Sequence, residues 1–131
     1  MTAKVLFTGT TNITSGPDGA AVSTNGLLDI KLAQPHPAAE NLFGAAWSAC
    51  YLGAIELSAA QRKIALPVHP SVDTEINLNN DGGAFFLSAR LNVSIPGLDR
   101  EIAEGLLHAA HDICPYSKAV RGNIEVETTL A

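Results

Sequence analysis

Hydrophobic positions along the chain recur with two periods, and the changes of period predict its elements. Residues 3–10 (AKVLFTGT) predict a strand. Residues 19–24 and 27–32 predict a hairpin about Asn25-Gly26, a pair that readily adopts the positive φ of a tight turn. In the second arm Leu28, Ile30 and Leu32 alternate with Asp29 and Lys31, so one face is buried. The period of two then disappears. Residues 38–63 (AAENLFGAAWSACYLGAIELSAAQRK) are rich in Ala and Leu without an internal Pro, which predicts a helix. Between Leu42 and Leu57 nearly every side is apolar or small, the pattern of a buried helix. Gly44, Ala45, Ala46, Ser48, Ala49, Gly53 and Ala54 would let neighbours approach its backbone.

Alternation returns after Pro67. Val72, Thr74, Ile76 and Leu78 share one face, and Asn79-Asn80-Asp81-Gly82-Gly83 predicts a turn. Phe85, Leu87, Ala89, Leu91, Val93 and Ile95 then alternate with polar positions and Phe86 in a long half-buried strand that ends at Pro96-Gly97. Residues 98–113 predict a second helix, with Ile102, Leu106, Ala110 and Ile113 at helical spacing and Asp99 and Glu101 near its positive end. Pro115 follows as a stop. Residues 122–130 predict a last strand with Ile124, Val126, Thr128 and Leu130 inward.

This order of hairpins and segregated helices predicts a single α+β domain over residues 1–131, with antiparallel sheets around a central buried helix. So short a chain has little sheet with which to cover a helix that is apolar on all sides. A homodimer is expected to bury the remainder, as an obligate interface does.

The 131 residues are 47% hydrophobic and 16% charged, with a net charge of −5. That is an ordinary globular balance, and the scattered Lys and Arg offer no stripe to phosphates, so no nucleic-acid partner is expected. The longest uncharged apolar stretch, Asn41 to Ile55, is shorter than the roughly 18 residues a membrane span needs. The N-terminus shows no apolar h-region. A cytoplasmic protein without a membrane partner is expected.

Two cysteines in a reducing compartment do not predict a static disulfide, and two buried, inert thiols are the plain alternative. Cys50 falls in the middle of the first helix and Cys114 at the end of the second, 64 residues later. His108, His111 and Cys114 are spaced like part of a metal site, but no second cluster supplies further ligands, so no metal is expected. His111 is expected to cap the helix end, where a cation is favoured.

The residues around both cysteines resemble a known family. Glu40, Leu42-Phe43-Gly44-Ala45-Ala46 and Ala49-Cys50 are similar to the first motif of the organic hydroperoxide resistance (Ohr) proteins of the OsmC/Ohr family. Cys114-Pro115-Tyr116-Ser117-Lys118-Ala119-Val120-Arg121-Gly122-Asn123 is similar to their second. Residues 16–32 and Pro96-Gly97 also fit, so the resemblance spans nearly the whole chain.

The resemblance implies an intertwined homodimer and a two-cysteine thiol peroxidase. In that reading Cys50 attacks an alkyl or fatty-acid hydroperoxide and becomes a sulfenic acid. Cys114 resolves it as an intramolecular disulfide, and dihydrolipoyl groups of a lipoylated protein, or another dithiol, return the pair to thiols. No resident cofactor is implied. Phe43, Trp47 and Tyr51 are candidates for an apolar substrate pocket, and plain core packing explains each of them equally well.

The family also uses an Arg in the early hairpin loop, steered by a Glu ten residues before the reactive Cys. Glu40 fills the Glu position, but the Arg position holds Pro17. A buried thiol beside a carboxylate has its pKa raised by both, and the Arg normally counters them. Arg121 is a candidate replacement for that charge. It reads equally as a structural Arg that orders the loop before the last strand. The loss of the Arg leaves an alternative function open, an Ohr-like dimer with weak turnover that binds an apolar ligand or senses peroxide.

Overall fold

A computed structural model describes residues 3–131. The chain divides into two compact units that meet in sequence at Ala39 and Glu40.

The first unit is a three-stranded antiparallel sheet in the order β1 (Thr11–Thr14), β2 (Ala20–Ser23), β3 (Asp29–Lys31). Ala21 pairs with both Ile13 and Ile30. The Asn25-Gly26 turn forms as expected: Gly26 takes φ 75°, and the Asn25 side chain accepts hydrogen bonds from Leu27 N–H and the Ser23 hydroxyl. Residues 3–10 do not form the expected strand. Their apolar side chains stand in solvent, Phe7 at 96% exposure. A strand needs a neighbouring edge for its hydrogen bonds, and within this unit the ladder begins only at Thr11. Among the described residues before Ala39, only Gly19 and Ala21 are buried.

The second unit opens with α1 (Ala38–Gln61). The helix ends in a Schellman turn. Lys63 takes the left-handed φ of 58°, its N–H reaches Ala60 O, and Ile64 N–H reaches Ala59 O. The helix has the length, and over its best window the mean hydropathy of 1.2, that could cross a membrane. It exceeds the Asn41–Ile55 stretch because it continues through Glu40 and Glu56. Its inner face is core all the same: Gly44, Trp47, Tyr51, Ala54, Ile55, Ser58 and Ala59 are buried. The expectation of burial on all sides is not met within one chain, since Asn41, Ala45, Ala46, Ala49, Gly53 and Leu57 are exposed.

Next comes a long hairpin, β4 (Ser71–Asp81) and β5 (Ala84–Ser94), paired from Ser71↔Ser94 to Asp81↔Ala84. The turn is only Gly82-Gly83, with φ of 60° and 92°. Two positive φ values in succession define the tightest hairpin turn and suit glycine best, so Asn79 to Asp81 stay in the strand. Ala89, Leu91, Val93 and Ile95 are buried as the alternation predicts, while Phe85 and Phe86 near the tip are exposed. Gly97 (φ 85°) lets the chain turn after Pro96; a Cβ there would stand 2.9 Å from Pro67 Cγ.

α2 (Arg100–Ile113) buries Ala103, Leu106, Leu107 and Ala110. Ile102, expected inward, is exposed. Pro115 does not only stop this helix. It starts α3 (Pro115–Val120) at a first-turn position, where its fixed φ suits the helix and its missing N–H costs nothing. The last strand, β6 (Glu125–Leu130), alternates as expected but pairs parallel to β5, from Ser88↔Glu125 to Val93↔Leu130. The α2–α3 crossover carries the chain back to the starting end of β5, so the second sheet (β4-β5-β6) is mixed rather than purely antiparallel. Trp47, Tyr51 and Ile55 of α1 pack with the inner residues of β5 and with Ala103, Leu107, Ala110, Cys114 and Val120. Each fully buried large apolar side chain contributes roughly 1.5–3 kcal/mol.

Candidate active site

Cys50 sits in the middle of α1 one turn after Trp47, and its thiol is half-buried. Cys114 is the single residue between α2 and α3, with φ −64° and ψ 118°. The extended ψ is what a residue before proline prefers, so the Cys-Pro pair itself bends the chain here. The bend is tied on both sides: Cys114 N–H donates to Ala110 O and Lys118 N–H to Cys114 O. Cys114 is fully buried.

Cys50 packs against the core cluster that contains Cys114, within reach of a hydrogen bond between the two side chains, and both thiols are free. Burial pushes the Cys50 thiol above its ordinary pKa, and a side-chain hydrogen bond and the charge of Cys114 push it further. A hydrogen bond from the Tyr116 backbone acts in the opposite direction, because a donor at sulfur stabilises the thiolate. Tyr116 belongs to the first turn of α3, so the bend that presents Cys114 also presents this group to Cys50.

Behind the thiols runs a polar chain, buried at Trp47 and Ser117 and part-buried at His111 and Thr128. Trp47 Nε1–H donates to Ser117 Oγ at 3.0 Å. Ser117 Oγ lies 2.8 Å from His111 Nδ1, and His111 Nε2 lies 2.8 Å from Thr128 Oγ1. Burial first, then the nearby charge of Arg121, lowers the His111 pKa, with Asp112 opposing and His108 adding slightly. A neutral ring carries one proton. One ring nitrogen therefore donates to its hydroxyl and the other accepts from its hydroxyl, while Ser117 Oγ also accepts from Trp47. The Tyr51 ring stacks on the imidazole at 4.3 Å, and its hydroxyl donates to Leu107 O at 3.0 Å. Burial, and secondarily the charge of Cys114, hold the Tyr51 phenol well above its usual range.

Sequence reasoning named the two cysteines, and the structure brings them together. It assigned His111 to a charged helix cap. That is corrected, because the ring is neutral and both nitrogens are taken by hydroxyls. Arg121 donates to His111 O and to Asp112 Oδ1, both at 3.1 Å, and is not among the groups that act on Cys50. Its guanidinium thus sits at the end of α2. Trp47 and Tyr51 are fully buried core residues; Phe43, partly buried, packs its ring 5.8 Å from Trp47. Trp47, His111, Ser117 and Arg121 border a cavity of about 250 Å³. Glu40 lines another of about 270 Å³ with Asn41, Ser48 and Thr74, where the last two share a 2.6 Å hydrogen bond. Pro17 lies in the first unit, beside a cavity lined by Asp18 and Gly19. Ser117 and Thr128 were not singled out as site residues. A readable signal existed for Ser117, since His111 and Ser117 stand three residues before and after Cys114.

The sequence model of the OsmC-like proteins matches residues 32–129. An organic hydroperoxide resistance protein of Xanthomonas axonopodis pv. citri is 39% identical, over 98% of this chain and 96% of its own. The crystal structure of OhrB, an organic hydroperoxide resistance protein of Bacillus subtilis, superposes with a TM-score of 0.86 at 36% identity, covering 97% of this chain and all of that one. A Legionella pneumophila organic hydroperoxide resistance protein gives a TM-score of 0.87 at 34% identity, over 98% and 99% of the two chains.

Proposed function

Because this chain belongs to the OsmC-like family, on its organic hydroperoxide resistance branch, we propose that it is a thiol peroxidase that reduces organic hydroperoxides to alcohols. The observation that carries the reading is the contact between Cys50 and Cys114, 64 residues apart in sequence. A half-buried thiol touching a fully buried one suits a nucleophile that substrate must reach and a resolver that it need not.

The Cys50 thiolate attacks the outer peroxide oxygen. An S–O bond forms, the O–O bond breaks, and the alkoxide leaves and takes up a proton as the alcohol. Cys50 is then a sulfenic acid. The Cys114 sulfur attacks it, forming the S–S bond and releasing hydroxide, which is protonated to water. A dithiol reductant, a dihydrolipoyl group by the family resemblance, exchanges with the disulfide and leaves as its own disulfide. Two electrons pass from dithiol to peroxide, and no step asks for a resident cofactor.

Alkyl and fatty-acid peroxides are the substrate class the family resemblance implies, and an apolar pocket favours them over hydrogen peroxide. Glu40 keeps, by family position, the role of steering a cation toward the thiolate. The exposed apolar stripe of α1 (Ala45, Ala49, Gly53, Leu57) supports a homodimer. A reducing cytoplasm supplies the dithiol the cycle needs.

Cumene hydroperoxide with dihydrolipoamide tests the reading. The expected result is consumption far above the uncatalysed rate, with an intramolecular Cys50–Cys114 bond in the oxidised protein by mass spectrometry. Consumption at the background rate, or only intermolecular bridges, overturns it.

A further inference from the structure

The chain Trp47–Ser117–His111–Thr128 ties together the backbones that carry the two sulfurs. Trp47 lies one turn before Cys50 on α1. His111 lies in the last turn of α2 before Cys114, and Ser117 in the first turn of α3 after it. The His111–Ser117 bond therefore spans the bend from one helix to the other, and the Trp47–Ser117 bond pins that bend to the turn of α1 beneath Cys50. Thr128 of β6 holds the outer nitrogen of the imidazole, and Tyr51 holds its face. Ser117 and Trp47 are buried, and no side-chain polar atom among the described buried residues lacks a partner. A buried network satisfied at every member has one arrangement and resists others.

We propose that His111 and Ser117 are positioning residues, which with Trp47 clamp the Cys114–Tyr116 segment against Cys50 so that the sulfenic acid is captured before a second peroxide reaches it. The inference rests on the peroxidase reading above. The bend carries two groups that act at Cys50, the Cys114 thiol and the Tyr116 backbone. Disulfide closure demands Cα atoms within about 7 Å and a narrow dihedral range, so closure is far more sensitive to a loosened bend than is attack on a diffusing peroxide. The atoms and electrons of the step do not change: Cys50–SOH and Cys114–SH give the disulfide and water.

The test is a single turnover of the reduced, full-length protein with one equivalent of cumene hydroperoxide. Sulfenic acid is trapped by dimedone and disulfide is followed by mass spectrometry. Ser117→Ala and His111→Phe, the second keeping an aromatic face for Tyr51, are expected to slow closure about tenfold, the scale of one lost buried hydrogen bond. Dimedone adduct accumulates, while peroxide consumption in that turnover falls by much less. Ser117→Thr, which keeps the hydroxyl, restores closure; a mere loss of packing would not be repaired by the bulkier side chain. If the alanine variant does not fold, Thr128→Val, which unties only the outer nitrogen, carries the test with a slowing of about threefold. A folded variant that closes at the wild-type rate overturns the clamp alone. Wild-type protein that consumes peroxide without closing the bond overturns the two-cysteine reading and the clamp with it.

Discussion

Around Cys50 the helix is regular, Ala45, Ala46, Ala49 and Gly53 are exposed, and the thiol is half-buried. Around Cys114 the backbone bends between two helices, the thiol is fully buried, and Ser117 and His111 are held by hydrogen bonds of 2.8–3.0 Å. The two regions meet at sulfur and are otherwise built differently. In the proposed cycle the attacking thiol must be reached from outside, and Cys50 is the half-buried one of the two. The proposed resolving thiol meets only one partner, already inside the protein, so the surroundings of Cys114 can be closed and specify position.

The largest break in this comparison is Cys50→Ser, which is expected to bring peroxide turnover down to the uncatalysed rate because the thiolate is the nucleophile. Equal consumption by the variant and the wild type would refute the assignment. Cys114→Ser is milder. One equivalent of peroxide forms the sulfenic acid, catalytic turnover stops, and a second equivalent carries Cys50 to sulfinic acid, visible as a gain of two oxygens in the intact mass. Steady turnover in that variant would remove the distinction between the regions.

Pro17→Arg sharpens the open side. Burial and Cys114 raise the Cys50 pKa, so little thiolate exists at neutral pH. A cation restored at the family position is expected to speed Cys50 alkylation at pH 7, by up to about tenfold for each unit the pKa falls. Arg121→Ala, which removes an exposed pair with Asp112, is expected to change that rate less than about twofold. The reverse ranking in a pH–rate profile would return the charge role to Arg121.

The smallest effect probes the closed side. The folded-state pKa of His111 lies below its ordinary 6.5. The unfolded chain therefore binds the proton more readily, and stability is complete above pH 6.5 and declines as the pH falls below it. Protonation also makes both ring nitrogens donors, so the hydroxyl that donates to the neutral ring loses its acceptor. The melting temperature is expected to fall between pH 7 and pH 5, and to fall less in His111→Gln. Parallel curves for the two proteins would contradict the buried neutral ring.

Short-range chemistry was legible in the sequence. The period change at residue 38 marks α1 within two residues of its end, the alternation from Val72 to Ile95 marks the long hairpin, and Asn25-Gly26 marks the early turn. Each depends on propensities and spacing over a few residues, which act before the chain is folded. The motifs around Cys50 and Cys114 named the proposed reacting residues but not their support. What lies far apart along the chain was decided by packing: the thiol contact across 64 residues, the Trp47–Ser117 bond across 70, and the parallel pairing of β6 on β5. Residues 3–10 have strand composition and no strand, because hydrogen bonding there waits on a neighbouring edge. Pro115 is compatible with either a stop or a new helix, and the structure takes the second. His111 is likewise compatible with an exposed charged cap or a buried neutral hub. Its protonation follows from solvent access and from which hydroxyls converge on the ring, and both are properties of the assembled core.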